Sequence, residues 1–364
     1  MLTGGGPVPS LERTSAMIRA VLTVLALMIA LPAVAQGVES NIVTGGPSGT
    51  YIKIGRDIAA LGAECGLKVN VRESAGSLEN IGAVRDRRVT QLGIVQSDVL
   101  EYVQTFEAKD PALRRLAWGV RIAFPLYNEE VHVLAKREIA SLADLNGKRV
   151  ATGVAESGTQ LTADLVLDLV EVTPGERVAI GPNDALKALL AGEIDAFFYV
   201  VGAPAELFRS DEIDGTKFHL LPMTEPVLNA VYTPAEVPAG TYPFEKDPVK
   251  LVAVKAVLVT YAFDSRRNSY QAASCKVVSD VSHLILTRFD QLQASGHPKW
   301  KSVDVKDIPP GWEVSSCVLD GLDPAYAFTC RKPDGSSVEE GVAGVTETEP
   351  NRLFLQRVCA RMGC

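Results

Sequence analysis

From Ser40 onward the chain alternates short β-branched runs with amphipathic stretches, a pattern that fits α/β architecture with mainly parallel strands. Asn41 to Thr44 reads as a strand that breaks at Gly45-Gly46-Pro47-Ser48-Gly49, and a helix follows with Tyr51, Ile54, Gly55, Ile58 and Leu61 on one face. Lys68 to Arg72 is a second strand, Ser77 opens a second helix, and Gln91 to Val95 is a third strand. Ser97 or Asp98 is placed to cap the helix expected from Val99. A long apolar stretch with Pro125 follows Trp118 and suits passage from one lobe to another. Beyond it, Val131 to Ala135, Lys148 to Thr152, Val178 to Ile180, Ala196 to Val200 and Phe218 to Leu221 read as strands with helical segments between them. The helix-turn-strand run from Asn80 to Val95 is echoed from Asp184 to Phe198, which suggests two lobes on one plan. Lys250 to Val259 is strongly β-like and is expected to carry the chain back, so that two crossings form a hinge. The expected division is therefore 37–124 for the first part of lobe I, 125–249 for lobe II, 250–317 for the return and C-terminal helices, and 318–364 for an extension.

A chain of 364 residues is long enough for two such lobes, and a formal net charge of −8 leaves no basic surface for nucleic acid. Residues 1–36 read as a signal peptide: Ala20 to Leu31 is almost wholly apolar but short for a bilayer span, and Ala33-Val34-Ala35 is a cleavage site. Met17-Ile18-Arg19 makes a more compact basic start than Met1. Cleavage near Ala35 would deliver the chain to the periplasm, with an uncleaved N-terminal anchor as the alternative. Export makes the six cysteines (Cys65, Cys275, Cys317, Cys330, Cys359 and Cys364) candidates for disulfides. Two bridges are expected in the C-terminal region, with Cys65 either joined to it or left as a buried thiol.

In open α/β sheets a ligand sits beyond the carboxyl ends of strands, where helix N-termini offer free N–H groups and positive dipole ends. Four segments meet that rule: Thr44 to Tyr51, Ser74 to Asn80, Gln96 to Asp98 and Glu156 to Thr159. They are small and mostly neutral, which permits close backbone approach to a carboxylate. Asp98 is either a helix cap or a seat for a ligand ammonium, and the cap is favoured. Arg121 offers a bidentate carboxylate contact, with a surface or interlobe ion pair as the other reading. Glu129-Glu130 reads as a solvated strand entry in preference to a cation site, and Tyr127 and Tyr199 as ligand-stacking residues or core tyrosines. The four histidines form no ligand set, so no metal or other cofactor is expected. No serine lies in a G-x-S-x-G elbow, which argues against a periplasmic hydrolase.

Several of these motifs, in order, carry a family resemblance. Thr44-Gly45-Gly46-Pro47-Ser48-Gly49-Thr50-Tyr51, Gly76-Ser77-Leu78-Glu79-Asn80 and Leu92-Gly93-Ile94-Val95-Gln96-Ser97-Asp98 resemble the TAXI family of substrate-binding proteins, receptors for a branch of TRAP transporters. The likeness continues through Leu126-Tyr127, Ser141 to Val150, Ser157-Gly158-Thr159, Asp195 to Phe198, Ala203-Pro204 and Val237 to Tyr242, covering roughly residues 40 to 300. It implies a two-lobed type II periplasmic-binding-protein fold, each lobe a mainly parallel sheet flanked by helices, here with a C-terminal disulfide-rich extension. It also implies a monomeric receptor that does no covalent chemistry and passes a small organic acid or amino acid, glutamate-like or dicarboxylate-like, to TRAP membrane permease subunits. The implied ligand residues are Gly46, Ser48, Thr50, Tyr51, Ser74, Ser77, Asn80, Gln96, Ser97, Tyr127, Ser157 and Thr159, to which Arg121 and Tyr199 are added as candidates from the residues themselves. Pro47 and the tail after Cys317 depart from the family pattern. A ligand-sensing subunit of a signalling system would share this fold and pocket, and stands as the alternative function.

Overall fold

A strand of 17 residues, β4 (Val120–Lys136), organises the molecule. Its first part, including Phe124, Leu126 and Tyr127, is buried in one hydrophobic core, and its last part, including Val131, Val133 and Leu134, in another. Between them Asn128, Glu129 and Glu130 interrupt the apolar run. A second long strand, β10 (Val249–Tyr261), lies antiparallel to β4 and divides the same way: Leu251 to Val254 contribute mainly to the second core and Ala256 to Val259 to the first. The register between the two strands shifts between Lys255 and Val257, where the chain leaves one core for the other. The computed structural model describes residues 39–340 apart from 324 and 333, together with Met1 and Gly4. The expected signal-peptide core and cleavage site, Cys359 and Cys364 lie outside the described residues.

Lobe I gathers β1 (Ser40–Val43), β2 (Val69–Arg72) and β3 (Thr90–Gln96) in the order β2-β1-β3-β10-β4, the first three parallel. Helices α1 (Thr50–Ala63), α2 (Ser77–Asp86) and α3 (Ser97–Phe106) follow these strands, and α4 (Pro111–Ala117) leads into β4. Lobe II continues β4-β7-β5-β6 with β5 (Arg149–Ala151), β6 (Glu176–Val178) and β7 (Ala196–Val201); β8 (Phe218–Leu220) pairs with β4 and β9 (Thr233–Val237) with β10. Its helices are α5 (Gly158–Leu169), α6 (Pro182–Leu190) and the short α7 (Pro226–Val231). The sheet is mixed because β4 and β10 each run antiparallel to the parallel set they join. The expected separate strand at Val131 is instead the second half of β4, since Pro125 faces Val257 without breaking the ladder.

After β10 the chain packs α8 (Ser269–Thr287), α9 (Phe289–Ser295) and α10 (Ser316–Leu322) against lobe I, then ends its described part in the hairpin β11 (Phe328–Arg331) and β12 (Ser337–Glu340). Two disulfides fasten this region. Cys275–Cys317 joins α8 to α10, and Cys65–Cys330 ties the hairpin to the end of α1 across 265 residues of sequence. Cys65 is thus bonded to the C-terminal region rather than a free thiol.

The lobes touch through polar groups and through Leu161 of α5, which packs against the lobe I core. The Glu156 carbonyl of lobe II accepts the amides of Leu78 and Glu79, the first-turn donors of α2 in lobe I. Glu156 holds this position at φ 64°, a left-handed conformation that costs a non-glycine residue roughly 1–2 kcal/mol. Beside it Gln96 Nε2 donates to Thr162 Oγ1 at 2.7 Å, and Thr162 Oγ1 donates to Asp98 Oδ2 at 2.6 Å. Asp98 is therefore not the cap of α3: the helix begins at Ser97, and the buried carboxylate turns toward the other lobe.

Burial pushes the Asp98 carboxyl up to about 6, against the hydrogen bonds from Thr162 and the Val99 amide that pull it down. A folded value above the unfolded one, about 3.9, adds stability that is complete below pH ~4 and is lost as pH rises through about 6. Asp98→Asn should match the wild type near pH 4 and exceed it at pH 7.5 by roughly 1–3 kcal/mol. Urea unfolding at the two pH values measures this, and a difference that does not grow with pH counts against the assignment. Opening the long loop closed by Cys65–Cys330 in the double variant Cys65→Ala/Cys330→Ala should lower stability by about 2–4 kcal/mol, read in the same titration.

Candidate functional site

Four helices begin where strands of the two lobes end, and all four N-termini face one cavity of about 600 Å³. Lobe I contributes Gly49 to Tyr51 at the head of α1 and Gly76-Ser77 at the head of α2. Lobe II contributes Ser157 to Thr159 at the head of α5 and Gly181 to Asp184 at the head of α6. The first amides of a helix have no intrahelical acceptor. At α1 and α6 no side chain caps them; at α2 the Glu156 carbonyl already takes the Leu78 and Glu79 amides and leaves Ser77, and at α5 Ser157 Oγ accepts the Gln160 amide and leaves Gly158 and Thr159. The summed effect is a positive electrostatic wall made of backbone. Glycine is required at Gly76, where φ is 132° and Ser157 and Gly158 of the other lobe press close, and at Gly158, where a Cβ would overlap the Gln96 side chain.

The crossing of β4 between the two cores supplies acidic groups. Glu129 lies on the cavity wall, only 2% exposed, and its Oε1 accepts the Tyr51 hydroxyl at 2.5 Å. Burial pushes its carboxyl well above the usual range, while the Tyr51 hydrogen bond and the more distant Lys299 draw it back. Burial and the Glu129 charge also raise the Tyr51 phenol, so Tyr51 remains a donor. Glu130 is tied down separately: Lys299 Nζ sits 2.7 Å from its Oε1, and the Ala203 amide donates to its Oε2. The expected solvated strand entry at Glu129-Glu130 is thus a buried pair, because β4 is covered on both faces where it passes between the lobes. Tyr199, pushed up to about 12 by burial, stands beside Ser48 on the wall.

Of the candidate residues from the sequence, Gly46, Ser48, Thr50, Tyr51, Ser74, Ser77, Ser157, Thr159 and Tyr199 come together on the cavity wall. The others lie elsewhere. Asn80 is buried behind the wall, donating to the Thr44 and Ile94 carbonyls and accepting from Ser74 at 2.6 Å, so it fixes Ser74. Gln96 is used in the interlobe contact with Thr162, and Ser97 Oγ accepts the Lys255 amide. Tyr127 is wholly buried in the lobe I core. Arg121 does not reach the cavity: it sits eight residues before Glu129 in an extended strand, roughly 26 Å away, and pairs with Glu313 at 3.0 Å. Glu129, for which the sequence favoured a solvated entry over a cation site, lines the cavity, and so does the Gly181-Pro182 turn, which was not among the candidates. The turn had a readable signal, since Gly-Pro after a β-branched run marks a helix start by the rule that found the other three.

Among the described residues no helix is long and apolar enough to cross a membrane, and no group of three His, Cys, Asp or Glu is placed to hold a metal ion. Comparison with solved structures finds the GluR0 ligand-binding core from Nostoc punctiforme in complex with L-glutamate, 17% identical, covering 72% of this chain and 96% of that one, with a TM-score of 0.40. A protein from Bordetella bronchiseptica RB50 is 14% identical over 90% of this chain and 99% of its own, with a TM-score of 0.46. A structure described as a periplasmic transporter is 14% identical over 90% and 97%, with a TM-score of 0.42. The model of the NMT1-like family matches residues 42–273, from the first strand of lobe I through the return strand to the start of α8. The chain belongs to the NMT1-like family, a family of periplasmic binding proteins.

Proposed function

We propose that this protein is the extracytoplasmic solute receptor of a TRAP-type transporter of the TAXI kind, exported with its signal peptide removed, that binds a small organic acid or amino acid between its lobes and delivers it to the membrane permease. The observation that carries this reading is the convergence of four helix N-termini, two from each lobe, on one cavity. Such a wall suits a carboxylate, and because each lobe supplies half of it, full contact is made only when the lobes are closed. The two strands β4 and β10 are the covalent hinge for that motion. The polar contacts around Glu156 and Thr162 hold the closed arrangement, and direct hydroxyl contacts from Ser48, Thr50 and Thr159 complete the expected ligand set.

A thermal-shift screen of amino acids and C3 to C6 mono- and dicarboxylates tests the reading. A ligand at a hundred times its Kd adds about 2.7 kcal/mol to the folded state and raises the midpoint. A panel in which no member shifts the midpoint would overturn the proposal. Gly158→Ala, which places a methyl group where the Gln96 side chain now packs, should keep the fold but weaken the best ligand at least tenfold in calorimetry. Wild-type affinity in that variant would show that the closed interlobe contact is not part of binding.

A further inference from the structure

The cavity wall carries no lysine, arginine or histidine, yet it carries four carboxylates. Three of them are accounted for. Glu79 pairs with Arg87 at 2.6 Å and caps the Ala75 amide, while Glu73 and Asp184 are exposed at the rim. Glu129 differs from all three. It is buried, it accepts one hydrogen bond from neutral Tyr51, and among the described residues no basic side chain comes within ion-pair distance of it. Its neighbour Glu130 shows what the fold does with a buried carboxylate that only needs neutralising, for Lys299 stands 2.7 Å away. With no such partner, burial favours the neutral carboxyl at Glu129, and an ionised Glu129 needs a cation brought in from outside the chain.

We infer that the Glu129 carboxylate is the seat of a cationic amine on the ligand, so that the cavity takes an α-amino acid in preference to the corresponding acid without an amino group. The inference rests on the solute-receptor reading above and narrows it. The cavity wall holds helix N-termini, suited to the ligand carboxylate, and beside the first turn of α1 the lone buried carboxylate of Glu129, hydrogen-bonded to Tyr51. A zwitterion matches both features, and on closure its ammonium supplies the counter-charge that the protein withholds. A dicarboxylate would set a second negative charge against Glu129. The competing arrangement has a protonated Glu129 donating a hydrogen bond to a ligand oxygen, and glutamine at that position would preserve the donor.

The experiment uses the full mature chain with two matched series: the twenty L-α-amino acids and their deamino counterparts, such as glutarate for glutamate and succinate for aspartate. Thermal shift ranks them and calorimetry measures the best pair. The expected result is that the tightest amino acid binds at least tenfold more tightly than its deamino counterpart, and that Glu129→Gln weakens it at least tenfold while leaving the deamino acid unchanged or stronger. The wild-type comparison stands even if the variant does not fold. Equal or tighter binding of the deamino acid, or a Glu129→Gln protein that binds the amino acid like wild type, overturns the inference. If only deamino acids bind, the receptor function stands and the amine seat falls; if neither series binds, both fall.

Discussion

Two strands pass from one hydrophobic core to the other, and the fold depends on what happens to the polar residues where they cross. In β4 the sequence Asn128-Glu129-Glu130 lies between apolar runs that belong to different cores. Neighbouring strand residues point to opposite faces, so the two glutamates meet different surroundings. Glu130 is locked by Lys299, which comes from the short helical turn Pro298–Ser302 and also donates to the Asn128 carbonyl. Lys255 of β10 reaches Asn128 Oδ1 from the other strand and pairs with Asp307. The crossing is therefore braced by ammonium groups on one side, while the Glu129 side opens on the cavity.

The bracing explains why the segments after β10 matter to a site they do not line. Lys299 and Asp307 brace the crossing, and Lys299 is placed by its neighbour Trp300, wholly buried in the lobe I core with its indole N–H on Asp57 of α1. The disulfides then fix the surrounding helices to the same lobe. Lobe I is joined to lobe II by two strands, a set of polar interlobe contacts and Leu161 packed against its core. Hydrogen bonds of that kind carry a modest net free energy, since water can replace them. The left-handed Glu156 is the point where the interlobe contact carries backbone strain.

Much of this was legible in the sequence because it is local. Strand and helix periods placed β1, β2, β3 and the helices after them, and the rule that ligands lie beyond strand ends chose loops that do line the cavity, such as Thr44 to Tyr51 and Glu156 to Thr159. The cysteine distribution pointed to a stapled C-terminal region. Less was legible where a residue's role depends on what packs against it. Asp98 stands where caps stand, but its carboxylate answers to Thr162 of the other lobe, 64 residues away in sequence.

Sequence alone determined the alternating elements, the two-lobe plan and the small, neutral loops at the strand ends, since backbone propensity and hydrophobic period act over a few residues. Tertiary structure alone decided that Arg121 is remote from the cavity, that Gln96 joins the lobes instead of lining it, and that Glu129 is buried while Glu130 is paired. Those outcomes are set by burial and by charges brought near from distant segments. An acidic pair in a strand reads the same in sequence whether water or a second lobe covers it, and only the fold supplies Lys299 to one member and the cavity to the other.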